Sequence, residues 1–200
     1  MTLIILIITG LISFAAFSQP AIIDRFVFQP YAIKHHREWY RYITSGLLHA
    51  DFMHLFVNMF VFYSFGQAVE YYYKGIFGNM GSWMYVLLYV TSIFAANVST
   101  YFKEQNNPTY RSLGASGAVS AVVFASILFN PYQPLVLMFA IEMPAILYGV
   151  LYLGYSYYMS KKDFGDNVHH EAHLQGALYG MLFTVVMKPQ VLGGFIDKLF

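Results

Sequence analysis

The chain has 200 residues, 58% of them hydrophobic, 20% aromatic and only 10% charged, with a net charge of +1. Water-soluble domains carry roughly 25% charged residues, so this composition excludes an ordinary soluble domain and points to a chain embedded in lipid, while the near-neutral balance offers nothing to nucleic acid or to an acidic partner. With no cysteine, disulfides, thiol redox chemistry and cysteine-ligated metal sites are excluded.

Six apolar stretches follow one another, approximately Thr2–Phe17, Ala50–Tyr72, Ser82–Phe102, Ala115–Phe129, Pro134–Met159 and His170–Met187. They predict an all-α, polytopic membrane protein, a six-helix bundle forming a single domain over residues 1–200. The first stretch lacks the basic n-region of a secretory leader and is expected to be a retained helix. A full span takes about 20 residues to cross roughly 30 Å of hydrocarbon. The second, third and fifth stretches meet that length, and Glu142 would lie deep in the fifth, beside Pro144. The fourth, from Ala115 to Asn130-Pro131, and the sixth, from His173 to Lys188-Pro189, do not. Both carry their polar residues at the N-terminal end, so Ser116 and His173 are expected at one depth, beside a wet pocket within the membrane.

Short connections around Lys74-Gly75 and Asn130-Pro131-Tyr132-Gln133 lie on one side. Long segments, Ser18 to His49, Lys103 to Leu113 and Lys161 to Val168, lie on the other. The long-loop side collects Arg25, Lys34, Arg37, Arg41, Lys103, Arg111, Lys161 and Lys162, against Lys74, Lys188 and Lys198 on the terminal side. By the positive-inside rule the long loops would be cytoplasmic. No internal repeat of the kind that builds transporters is visible.

The chemistry concentrates in three places. Gly114-Ala115-Ser116-Gly117 opens the fourth stretch. Its glycines permit a tight entry turn, and the first-turn N–H groups lack intrahelical partners and can hold an oxyanion. Alone, Gly117 and Ala121 also read as a small-residue packing face. His173-Leu174-Gln175-Gly176, with Gly180, opens the sixth stretch and carries a matching small-xxx-small face. If the two faces pack, His173 meets Ser116 and a neutral imidazole can take the hydroxyl proton; a capping histidine is the plainer alternative. His54 and Asn58 lie four apart on one helical face and can both donate hydrogen bonds. Glu70 is expected to bond to a loop, and Arg41 reads as a solvated charge. His169 and His173 are four apart but lack the His-Glu-x-x-His order, so no metal and no cofactor are expected.

Taken in order, these pieces resemble the rhomboid intramembrane serine proteases, from about Glu38 to Gly180. Glu38-Trp39-Tyr40-Arg41 resembles that family's Trp-Arg segment, and the run from His49 through His54 to Asn58 its His and Asn stretch. Gly66-Gln67-Ala68-Val69-Glu70 resembles the end of its second helix. Gly114-Ala115-Ser116-Gly117 is like its nucleophile motif, and His173-Leu174-Gln175-Gly176 with Gly180 like its histidine helix. The resemblance implies a Ser116–His173 dyad without an aspartate, and an oxyanion hole from His54, Asn58 and the Ser116 backbone. It makes Arg41, Glu70, Gly114, Gly117, Gly176 and Gly180 structural. It implies cleavage of single-span membrane proteins in the bilayer, and a bacterial inner-membrane location with the mouth on the non-cytoplasmic side, against the charge count. Family members often carry an aromatic ring four residues after the serine, stacked on the histidine. Here that position is Ser120, so another ring must orient His173. An inert client-binding relative and a proton-coupled transporter using Glu142 are the rival readings.

Overall fold

The computed structural model describes residues 1–137, 141–161 and 169–200. The segment 162–168, with the Lys162 charge and most of the third long connection, lies outside the described residues. The helices begin and end where local chemistry requires. α1 runs Thr2–Ser18 and stops before Gln19-Pro20; Pro20 then opens α2, Pro20–Phe26, and Pro30 opens α3, Pro30–His36, each proline at a position where its missing N–H is harmless. α3 ends on Arg37 in the left-handed conformation, φ 61°. The short α4, Arg41–Thr44, passes into a turn of 3-10 helix, Ser45–Leu47. The first long connection is thus a folded cap. It is tied to the segment before Ser116 by paired backbone bonds of 3.0 Å between Phe28 and Ser112 and by Gly114 N–H donating to the Ser45 carbonyl at 3.0 Å.

Arg41 is no solvated charge. It is 7% exposed, and its guanidinium donates to the Asp24 carbonyl at 2.9 Å and the Val27 carbonyl at 3.0 Å while pairing with Glu38. Two carbonyls at the α2 end and one carboxylate match the guanidinium's fixed fork of donors, which is why the residue is buried in the cap.

α5, Phe52–Phe77, is capped by the Asp51 side chain, which accepts from the His54 N–H at 2.8 Å. A tight turn over Gly78–Met80, with Gly78 at φ 57°, folds α6, Gly81–Glu104, back along it, so that Phe62 packs on Tyr85 and Tyr89. Glu70 bonds to α1 and to its own helix, not to a loop. Its carboxylate accepts from the Met1 ammonium at 2.8 and 2.9 Å and from the Thr2 N–H and hydroxyl, each at 2.9 Å, and pairs with Lys74 at 3.0 Å.

α7, Ser116–Phe129, is the axis of the bundle: every side chain from Gly117 to Leu128 is buried. A helix apolar all round belongs at a centre, and α5, α6 and α9, His170–Met187, surround this one. The expected helix from Pro134 to Met159 is corrected. Residues 134–137 (β1) and 141–144 (β2) pair antiparallel, Pro134 opposite Pro144, and helix α8 occupies only Ala145–Ser160. Pro144 within a helix would remove a backbone bond and clash with the preceding turn, so the helix starts after it. Glu142 accordingly sits on β2 and is exposed, not deep in a helix. After Lys188-Pro189 the chain bends by 115° into α10, Gln190–Leu199.

Sidedness is inverted relative to a soluble bundle. Leu3, Ile4, Ile7, Ile8 and Leu11 of α1, Phe56 and Phe60 of α5, Val150 and Leu151 of α8, and Leu178, Leu182 and Val186 of α9 face outward, while Thr2, Thr9, Ser13, Ser92, Ser126 and Thr184 are buried. On α9 the division is sharp: Gly176, Gly180 and Thr184 form the inner row and the leucines four residues apart the outer one. Exposed apolar side chains on the outer faces of four helices are suited to lipid. By length and hydropathy the hairpin Phe52–Glu104 is the clearest membrane-crossing stretch among the described residues; α9 joins only with α10 as a bent pair, and α1 and α7 are shorter apolar helices.

Candidate active site

Ser116 is the first residue of α7, and the helix's first internal bond runs from the Val119 N–H to the Ala115 carbonyl. The N–H groups of Ser116, Gly117 and Ala118 therefore precede the ladder and stay available to an acceptor. Gly114 enters at φ 126°, a conformation that L side chains rarely adopt, and a Cβ there would lie 3.0 Å from His54 Cε1, 3.2 Å from His54 Nε2 and 3.8 Å from Ser116 Oγ. Glycine at 114 is thus what lets the His54 ring lie against the turn that carries the serine.

His54 stands in the first turn of α5. Its Nδ1 accepts from the Ala50 N–H at 3.4 Å, which leaves the proton on Nε2, the nitrogen facing Gly114. Asn58, 7% exposed, donates one amide hydrogen to the His54 carbonyl at 2.9 Å, and among the described residues its other amide hydrogen has no acceptor. Behind them His49 packs edge-on to His54, centroids 4.9 Å apart, and bonds through Nδ1 to the Ser13 hydroxyl at 2.9 Å. Burial above all, then the neighbouring His54, holds the His49 imidazole down at about 3 against the opposing pull of Asp51, so it is a neutral support.

His173 comes from α9. The helix begins at His170, which puts His173 one turn inside rather than at its mouth. What fixes it relative to Ser116 is backbone contact. A Cβ on Gly117 would lie 3.2 Å from the Ala172 carbonyl oxygen, and Cβ atoms on Gly176 and Gly180 would collide with the carbonyls of Gly117 and Ala121. The small-residue faces of α7 and α9 thus lie backbone to backbone, and the neighbours of Ser116 and of His173 touch. Among the described residues no hydrogen bond joins Ser116 to His173; such bonds are often long before substrate binds.

The ring beside His173 is Tyr152 of α8, its centroid 6.3 Å away and its plane inclined by 17°. The Tyr152 hydroxyl shares a 2.6 Å hydrogen bond with Ser120. Sequence reasoning missed Tyr152. The only local signal was the run Tyr148, Tyr152, Tyr155 along one helical flank, which reads equally as packing.

On the other side of Ser116 a cavity of about 20 Å³ is lined by Asn97, Ser112, Gly114, Ser116, His169 and Ala172, polar and large enough for one water. At its wall the His169 Nε2 meets the Thr100 hydroxyl at 2.8 Å, and burial pulls its imidazole below the ordinary value, with Glu171 opposing. Beside it, the Ser99 hydroxyl donates to Glu171 at 2.5 Å and Gln175 bonds to Ser99. The arrangement presents a hydroxyl on a helix N-terminus, backbone and side-chain N–H donors beside it that are unpaired among the described residues, an imidazole on the facing helix and space for water. Those are the parts of a serine acyl-transfer site.

Residues 36–190 match the family model described as the Rhomboid domain. The chain is 32% identical over 165 residues to Rhomboid-like protein 11, chloroplastic, of Arabidopsis thaliana, a match covering 75% of this chain and 53% of that one. It is 31% identical over 159 residues to the YdcA protein of Bacillus subtilis (strain 168), covering 76% and 70%, and 24% identical over 162 residues to Rhomboid protease GluP of the same organism, covering 81% and 29%. The chain therefore spans about half the length of the first of these relatives and less than a third of the last.

Proposed function

The chain belongs to the rhomboid family of integral-membrane proteins, and from that membership and the geometry above we propose that it is an intramembrane serine endopeptidase that cuts transmembrane segments of single-pass proteins with a Ser116–His173 dyad. The observation that carries the reading is the backbone-close packing of Gly176 and Gly180 on Gly117 and Ala121, which holds the two N-terminal turns against each other. The bundle is read as six passes in a bilayer, with the cap of α2 to α4 and the cavity beside Ser116 on the non-cytoplasmic side. The named relatives include chloroplastic and bacterial proteins, and a bacterial inner membrane is the location proposed for this one.

Substrate enters from lipid between α5 and α8, each of which carries exposed apolar side chains, Met53, Phe56 and Val57 on one and Leu147, Val150 and Leu151 on the other. The segment must unwind there, because a helical peptide bond is shielded and internally bonded. Ser116 Oγ attacks the scissile carbonyl carbon as its proton passes to His173. The tetrahedral oxyanion is held by the first-turn N–H groups of α7, by Nε2–H of His54 and by the second amide hydrogen of Asn58. The protonated His173 then gives its proton to the leaving amine, and the carbon–nitrogen bond breaks to leave an acyl-enzyme. Water from the polar cavity beside Ser116, deprotonated by His173, hydrolyses the ester and restores the hydroxyl. Every step uses groups of this chain and water.

The reading is tested by incubating the purified protein in detergent with a tagged single-span reporter and mapping the product termini by mass spectrometry. One cut within or at the edge of the span supports it. A reporter left whole while a serine-directed fluorophosphonate fails to label Ser116 rejects it in favour of an inert relative. Within the same assay Asn58→Ala is expected to reduce turnover about a hundredfold, the typical loss for one oxyanion donor, with the reporter's KM and the helical circular dichroism unchanged. Wild-type turnover in that variant would remove Asn58 from the oxyanion hole.

A further inference from the structure

The Ser116–Ser120 spacing of four puts both hydroxyls on one face of α7. Ser120 is 6% exposed, and its hydroxyl is committed to the phenol of Tyr152 at 2.6 Å. Tyr152 reaches from α8 across this face, wedged between Phe124 of α7, centroids 5.5 Å apart, and Tyr148 of its own helix, 5.6 Å apart. Its other face is nearly parallel to the His173 imidazole, at 17° and 6.3 Å, inside the range at which offset rings attract. Three helices close on one point: α7 gives the hydroxyl anchor, α8 the ring and α9 the imidazole.

We propose that Tyr152 is the positioning residue for His173, holding the imidazole in register with Ser116 by ring stacking while Ser120 fixes the phenol; the inference rests on the Ser116–His173 dyad proposed above. Two rotations have to be controlled for the base to receive the serine proton, that of the imidazole about its own bonds and that of whatever leans on it. A flat ring packed alongside restricts the first. Tyr152 is itself restrained at the far end of its side chain, where a hydrogen bond has the longest lever, and flanked by two further rings along its length. Because the ring rides on α8 and not on the serine helix, the orientation of the base depends on α8 being seated. A substrate that parts α8 from α5 acts on the same helix that steadies the imidazole.

The test uses the full chain in detergent, with the reporter assay and active sites titrated by fluorophosphonate so that kcat is expressed per reactive serine. Tyr152→Leu is expected to lower kcat ten- to hundredfold, as misplacement of a reacting group by about an ångström does. KM should stay within twofold, and the pH of half-maximal kcat should shift. Tyr152→Phe keeps the ring and loses only its anchor, as does Ser120→Ala, so each should lose about two- to fivefold, the scale of one hydrogen bond, and the pH profile should stay in place. Wild-type kcat per reactive serine and an unmoved profile in Tyr152→Leu would overturn the proposal. So would a fall that appears only in the number of titratable serines, since that is loss of folded protein. Should Tyr152→Leu not fold, the other pair decides: equal falls support the anchor, and no fall in either overturns it. If wild type itself neither labels at Ser116 nor cleaves, the dyad fails, an outcome distinct from active wild type with indifferent Tyr152 variants.

Discussion

Ser116→Ala is expected to abolish cleavage of a transmembrane reporter, and His173→Ala to do so to nearly the same extent, while both proteins stay folded. Loss of a nucleophile or its base in a serine hydrolase lowers kcat by on the order of 10⁶-fold, and losing both costs little more, because the two act as one unit. The fold should tolerate Ser116→Ala. The serine is the first residue of α7, its hydroxyl makes no hydrogen bond among the described residues, and alanine is the better helix former. What holds α7 lies deeper, in the run from Gly117 to Leu128 that the other helices enclose. His173→Ala removes a ring from a contact with Tyr152 but leaves the backbone seam of α9 untouched. The measurement is product formation by gel over hours, with circular dichroism and a thermal scan as the fold control. Cleavage within tenfold of wild type by folded Ser116→Ala would transfer the chemistry to another residue, and undiminished fluorophosphonate labelling of that variant would identify where it went.

The sequence was most transparent where one local fact forces one outcome. The sixth stretch, His170–Met187, and the fourth, ending at Asn130-Pro131, are the bounds of α9 and α7 within a residue, because each is closed by a dipeptide with proline. The glycine row of α9 was legible for the same reason: residues four apart share a face whatever surrounds them. Contacts set by distant packing were not legible. Arg41 has the composition of a solvent charge, and only the bend that turns the carbonyls of Asp24 and Val27 toward it makes a buried site. Tyr152 is one of 18 tyrosines, and nothing in its neighbourhood says that it reaches His173. The place of Glu142 is not legible from the length of its apolar run, because Pro144 within that run marks the end of β2 and the start of α8. The amphipathic α10 went unread because ten residues with two adjacent glycines carry too weak a helical pattern alone.

The second large effect lies in the seam between α7 and α9, and it separates packing from chemistry. A methyl on Gly180 would sit 2.6 Å from both the carbonyl carbon and the Cα of Ala121, and one on Gly176 2.7 Å from the carbonyl carbon of Gly117. Those atoms are backbone, so no side-chain rotation relieves the overlap; the helices must move apart. Overpacking by a methyl group typically costs about 1–3 kcal/mol where side chains can shift, and a backbone collision puts Gly180→Ala at the upper end. The catalytic loss should be larger than the stability loss. The seam runs from Ala121 and Gly180 up to Gly117 and Ala172, and the two proposed reacting residues stand at its top. Separation by about an ångström would cost turnover on the order of a hundredfold even in protein that remains folded. Gly180→Leu, with three more carbons driven into the same backbone, is expected to yield no folded protein. Gly154→Ala on α8 is the control, because a Cβ there meets nothing within 4 Å, and it should match wild type in melting temperature and in kcat. Measuring both quantities in the alanine variants decides the matter: Gly180→Ala behaving like Gly154→Ala would mean that α7 and α9 do not touch as described, and with that contact the proposed pairing of Ser116 with His173 would lose its structural basis.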